Sequence, residues 1–496
     1  MSGDNEQKLD LLKRSLLEID DLRSAGAVLA WDQTTYMPAG GSASRARQRA
    51  TLSRFAHQKA TAAELGCLLD ALEASGEDLS EPEASLVRVA RRDFEKANKI
   101  PASFVERASA HRSQSYAAWI QAREEDDFAA TAPYLRTSID LSREYAEFFA
   151  PFAHICDPLI DDTDEGMTVA EVRQIFSELR PALLDLTRDI GNRPQVSHAC
   201  LKGAFGEDQQ LALALSAVEK IGYDLARGRL DKTVHPFCTR FSSGDVRITT
   251  RTRKDEFCEA FFSTLHEAGH ALYEQGVAQD FDGSPLGRGA SAGLHESQAR
   301  LWENNVGRSC PFWEYWYPVL QETFPANYAD VSLQEFYAAI NRVERSLIRT
   351  DADEVTYNLH IMMRFDLENE MLEGRLDVQD LPEAWRTRMR EDLGVEPEKD
   401  REGCLQDVHW YAGLIGGAFQ GYTIGNILAA QFYATALQIH PDIPHQLQRG
   451  DTSQLLNWLR REVYQHGRRY RPDELILRAT GRPLHVAPYL EYLRGK

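Results

Sequence analysis

The chain has 496 residues, 43% hydrophobic and 27% charged, which are the proportions of an ordinary globular protein and exclude disordered, collagen-like and coiled-coil chains. Its 56 Lys and Arg against 76 Asp and Glu give a net charge of −20, which excludes a surface that binds nucleic acid or anionic membrane as a whole. Seven cysteines, odd in number and without a pair at metal-ligand spacing, do not make a disulfide framework and point to a reducing compartment. The opening MSGDNEQKLD holds acids and no apolar run, unlike a secretory signal or transit peptide, so the cytoplasm is the expected location.

The first 190 residues read as helices joined by short turns. Ser80 with Glu83 and Thr168 with Glu171 each form a capping-box start signal. Apolar residues follow at helical spacing: Leu86, Ala90 and Phe94 in the first, Val172, Ile175, Phe176 and Leu179 in the second. Pro181 is expected to end or kink that second helix, because proline lacks an amide hydrogen and crowds the preceding turn. The best boundary is Asn192 to Gln195, which divides a helical N-terminal lobe, 1–195, from a second lobe, 196–496. Strand alternation is concentrated in Phe237, Thr239 and Phe241, then, after the turn-rich Ser242-Ser243-Gly244-Asp245, in Val246, Ile248 and Thr250, which predicts a hairpin. Helical patterning resumes to the C-terminus, interrupted by a glycine-rich stretch over 280–294 and a Pro- and charge-rich one over 396–403. Gly413 to Leu437 carries no charge and is long enough to span a bilayer, but five glycines with Gln420, Thr423, Asn426, Gln431 and Thr435 predict a buried segment instead. The expected fold is mainly α, with one small antiparallel β-sheet.

The segment FFSTLHEAGHALYEQGV places His266, Glu267 and His270 in the pattern His-Glu-x-x-His. On a helix, residues i and i+4 share a face, so both imidazoles reach one cation about 2.0–2.1 Å from each ligating nitrogen. Glu267 stands beside them, placed to take a proton from an attacking water. A catalytic zinc needs a third protein ligand, and 26 residues after His270 the segment GLHESQARLWENN offers Glu296, with His295 as the competing choice. Glu296 is the expected ligand, since a Glu on a second helix commonly completes a His-His pair. His295 is left to support the site, contact substrate or sit as a core histidine.

Taken together, His266-Glu267-x-x-His270, His295-Glu296-Ser297, His235-Pro236-Phe237, Asp245-x-Arg247-x-Thr249, Ile348-Arg349-x-x-Ala352-Asp353 and Gly421-Tyr422-x-x-Gly425 resemble the motif set of the carboxypeptidase Taq family of metallocarboxypeptidases. WDQTTYMP followed by Arg45, Arg47 and Gln48 extends the likeness over nearly the whole chain, while LIGGAFQGYTIGN lacks the GYFPTY-like stretch of many members. The resemblance implies a single helical peptidase domain over 1–496 with a deep cleft, a zinc or cobalt ion, broad release of single residues from peptides with free C-termini, and a homodimer. For such an enzyme Arg349 is the leading cation for the substrate's terminal carboxylate, and Tyr422 donates to that carboxylate or to the developing oxyanion. His235 and His409 are further candidate donors. Asp245, Arg247 and Thr249 either meet substrate along the hairpin, whose exposed strand can pair with an extended peptide, or lock the turn. Asp353 either orients a ligating His or caps a helix. Two other readings fit the residues: a zinc endopeptidase or oligopeptidase, and a non-catalytic helical peptide-binding scaffold.

Overall fold

The computed structural model describes residues 3–75 and 79–496. The N-terminal helices Gly3–Thr35, Ala63–Glu73 and Glu81–Lys99 form a layer with its own small core of Leu9, Leu12, Leu16, Leu69, Leu72, Val87 and Val89, into which Leu286 reaches from the glycine-rich stretch. Both expected capping boxes are present, at Ser80 with Glu83 and Thr168 with Glu171.

The following helices bury their apolar faces against the far end of the chain. Phe104, Leu135, Ile139, Leu179 and Leu183 share one core with Leu359, Phe365, Trp385, Ile427 and Tyr489, so helices on both sides of 192–195 pack together. Pro181 does not end its helix, which runs Val169–Gly191. Leu179, Leu183 and Thr187, one turn apart, are all buried. Burying two leucines stabilises by about 1.5–3 kcal/mol each, enough to offset the cost of about 3 kcal/mol for an interior proline.

The sheet is mixed rather than antiparallel. β2 (Cys238–Ser242) and β3 (Asp245–Thr250) form the expected hairpin, but β1 (Leu230–Lys232) lies parallel to β3 on its other side, giving the order β1-β3-β2. With three residues, β1 is too short to show alternation in sequence. The sheet packs on the helix Cys258–Gly276, whose Phe261, Leu265 and Leu272 belong to the largest core with Trp302, Trp313, Leu428 and Phe432.

The uncharged stretch forms most of the helix Phe419–Ile439, buried in the middle of the molecule, and no described helix is long and apolar enough to cross a membrane. Its glycines let backbones meet. A Cβ on Gly425 would lie 2.4 Å from Glu296 Cγ, and a Cβ on Gly269 would lie 2.5 Å from the Gln298 carbonyl oxygen. Both neighbouring helices therefore press directly on the helix Ala292–Arg300, which carries Glu296.

Candidate metal centre and cleft

His266 and His270 project from one face of the helix Cys258–Gly276 toward Glu296. Glu296 Oε2 lies 3.8 Å from His266 Nε2 and 3.7 Å from His270 Nε2. One ligand atom from each of the three falls within 4.8 Å of the others, which leaves room for a cation about 2.0–2.2 Å from each.

The outer atoms of all three are held, and the holding fixes where the lone pairs point. Glu303 Oε2 accepts from His266 Nδ1 at 2.9 Å. Glu274 Oε1 accepts from His295 Nε2 at 2.8 Å, and with the proton on that nitrogen His295 Nδ1 accepts from His270 Nδ1 at 2.6 Å. In this arrangement His266 and His270 both carry their proton on Nδ1 and direct an Nε2 lone pair at Glu296. Glu296 Oε1 accepts from Arg300 Nε at 2.7 Å, which leaves Oε2 facing the histidines. Arg300 also reaches Glu303 at 3.2 Å. Burial pushes the Glu303 carboxyl up, but Arg300 and the His266 hydrogen bond outweigh it and hold it at about 2. Such outer partners commonly stabilise bound metal 10–100-fold. Three nitrogen and oxygen donors so oriented suit a divalent metal ion.

Glu267, between the two histidines and buried, has its carboxyl raised to about 7 by burial and by Glu296, against the opposing effect of His266. A cavity of ≈ 640 Å³ opens beside the site, lined by His270, His295, Glu296 and Tyr422, with Arg92 and Arg288 among its charged wall residues.

Arg349 and His409 lie together near Tyr422, around a carboxylate that the motifs do not include. Asp407 Oδ2 and Oδ1 accept from Arg349 Nε and Nη2 at 2.6 and 2.9 Å. Asp407 Oδ1 also accepts from His409 Nδ1 at 2.7 Å, so His409 Nε2 is left to accept from the Tyr422 hydroxyl at 2.9 Å. Arg349 is buried, with its guanidinium carbon 5.5 Å from the Tyr422 ring centre and Nη1 donating to the Tyr357 hydroxyl at 3.0 Å. Its ion pair is with Asp407, not with the nearby Asp351 or Asp353. Asp353 is a cap: its carboxylate accepts from the Val355 and Thr356 amides at the start of the helix Tyr357–Leu372, and it orients no histidine.

Arg247 is held by Asp245 at 2.8 and 2.7 Å and lies over the Trp31 and Phe241 rings at 4.3 and 4.9 Å, which locks the hairpin to the N-terminal helix. His235 lies at the surface in the loop before β2; the partial desolvation of its ring and the charges of Arg251 and Arg123 lower its pKa. Glu274 and Glu303 were readable in principle, since they fall four residues after His270 and seven after Glu296, on helical spacing. Asp407 and Arg364 leave no such local trace.

Nearly the whole chain matches a known family: residues 11–496 fit the model of the carboxypeptidase Taq (M32) metallopeptidases. This chain belongs to that family. It is 42% identical to thermostable carboxypeptidase 1 of Thermus thermophilus over 489 residues, 96% of this chain and 95% of that protein. It is 37% identical to carboxypeptidase 1 of Bacillus subtilis over 490 residues, 98% and 96% of the two. The crystal structure of the M32 carboxypeptidase from Deinococcus radiodurans superimposes with a TM-score of 0.96 at 50% identity, covering 99% of this chain and 98% of that one. As an M32 family member the chain is a metal-dependent carboxypeptidase, and the mainly helical fold with a small sheet is the family's fold.

Proposed function

We propose that this carboxypeptidase uses a zinc ion, replaceable by cobalt, held by His266, His270 and Glu296, and that it removes single residues of many kinds from free peptide C-termini. The observation carrying the reading is the convergence of two Nε2 atoms and one carboxylate oxygen on a common point, with their outer atoms already engaged. A divalent ion held there would supply Lewis-acid polarisation of the scissile carbonyl and would acidify the attacking water. Glu267 takes the proton of that water and delivers it to the leaving amine, a task suited to a carboxyl raised to about 7. Arg349 binds the terminal carboxylate with its remaining N–H groups. Tyr422 and His409 flank the same place and position the substrate's end. β2, at one edge of the sheet, pairs with the extended peptide through backbone bonds that tolerate any side chain, in keeping with broad specificity.

All seven cysteines are free, which supports a cytoplasmic enzyme; a homodimer is proposed on the family likeness alone. The test is to incubate the protein, as purified and after chelation with zinc or cobalt restored, with a free-acid peptide and its C-terminal amide, and to follow products by mass spectrometry. Stepwise loss of single residues from the free acid alone, stopped by chelation and restored by metal, is expected. Internal cleavage of both peptides would make the enzyme an endopeptidase.

A further inference from the structure

A substrate carboxylate is attracted by net charge, and Arg349 alone offers none. Its bidentate pair with Asp407 cancels one positive with one negative charge inside the protein. A second guanidinium lies behind the pair. Arg364, fully buried on the helix Tyr357–Leu372, donates from Nε to Asp407 Oδ2 at 2.8 Å. It is braced by Nη1 to the His360 carbonyl at 2.9 Å and Nη2 to Gln406 Oε1 at 2.7 Å. That same Gln406 oxygen accepts from the Arg349 amide at 2.9 Å, which ties the two arginines to one scaffold.

The buried titratable groups behind the pair, Arg364, Glu368 and His360, leave its balance intact at neutral pH, while His409 shares Asp407 through Nδ1 and accepts from Tyr422 through Nε2. Burial lowers Arg364 to about 10, so it stays charged, and burial raises Glu368 to about 8, so it stays protonated. Burial and the neighbouring Arg364 and Arg349 keep His360 neutral. The cluster of Asp407, Arg349 and Arg364 therefore carries one surplus positive charge. Each guanidinium donates once from each of its three nitrogens, using three of its five N–H groups; Arg364 is fully enclosed, whereas Arg349 is 7% exposed and keeps two N–H groups for a ligand.

We propose that Arg364 is a positioning residue for substrate selection, supplying through Asp407 the surplus charge that lets Arg349 bind a terminal carboxylate. The inference rests on the reading of Arg349 as carboxylate anchor given above. A role in folding alone predicts that any damage to the cluster weakens binding. The charge balance predicts opposite signs: losing Arg364 weakens carboxylate binding, losing the Asp407 charge does not.

The probes are 3-phenylpropionate and its neutral amide, whose dissociation constants are measured by ligand-observed NMR on chelated protein, so that no metal contributes. Wild type is expected to favour the carboxylate over the amide; equal affinities would refute the Arg349 reading itself, before any variant is made. R364M is expected to weaken the carboxylate by about tenfold or more, the scale of one charge-assisted contact, with the amide unchanged. R364K should recover most of that loss. D407N should bind the carboxylate no more weakly than wild type, while turnover of a free-acid peptide falls because Arg349 and His409 lose their common acceptor. Unchanged carboxylate affinity in R364M, or parallel losses in R364M and D407N, would overturn the proposal. Should R364M fail to fold, D407N decides, because weaker carboxylate binding there also overturns it.

Discussion

Gly425 and Glu296 meet with no room for a side chain between them: a Cβ at 425 would stand 2.4 Å from Glu296 Cγ and 2.6 Å from its Cβ. The neighbour is the candidate metal ligand itself, so the contact links the packing of the central helix to the position of a donor atom. G425A is expected to destabilise the protein by about 1–3 kcal/mol, the usual cost of overpacking. It should also weaken metal binding, because Glu296 must move. Thermal melting and metal titration of the variant check both; a melting loss with unaltered metal affinity would mean that the helix, not Glu296, yields.

E267Q is expected to reduce kcat by 10²–10⁴-fold, the usual contribution of a general base, with metal content unchanged. Metal analysis alongside steady-state kinetics reads both quantities. Retention of more than about a tenth of the wild-type rate would remove Glu267 from the role.

His295 touches no expected ligand atom that faces the metal, yet its Nδ1 is 2.6 Å from His270 Nδ1 and sets that ring's proton. H295A should therefore weaken metal affinity by about 10–100-fold, and E303Q, at the outer nitrogen of His266, by a similar factor. Competition against a chelator measures both. Wild-type affinity in each would show that the ligand rings are oriented by packing alone.

Glu368 supplies a pH dependence. Its carboxyl is fully buried, accepts from the Trp410 indole at 2.8 Å, and is raised from 4.5 to about 8 by burial first and Asp407 second. Between those two values the folded state keeps a proton that the unfolded chain releases. Stability therefore falls as pH rises from about 4.5 to about 8, by an amount on the order of a few kcal/mol, and this contribution is flat below that window. E368Q should flatten the decline in denaturation midpoint across the window. An equally steep decline in the variant would assign it to other groups.

Sequence legibility followed the range of the interactions. The pair His266 and His270 with Glu267 was readable because one helical turn sets their geometry, and helical periodicity is local. The capping boxes at Ser80 and Thr168 and the β2–β3 hairpin were readable for the same reason: each is closed within a few residues. Pro181 does not end its helix: the local rule counts a lost hydrogen bond and cannot count the burial of Leu179 and Leu183 against residues beyond 355. β1 was missed because its pairing with β3 is parallel, so its partner is not its neighbour in the chain.

The sequence by itself determined the helical class, the helix bearing His266 and His270, and the candidate ligand set, since these depend on spacing along a helix and on residue chemistry. Only the tertiary structure decided what surrounds them. It brought His295 behind His270, pressed Gly425 onto Glu296, and gathered Arg349, Arg364 and His409 around Asp407. Arg349 and His409 are 60 positions apart and Glu296 and Gly425 are 129 apart, and no periodicity reaches that far. A buried carboxylate must be paired or lose its charge, so the packing that buries Asp407 also selects its partners.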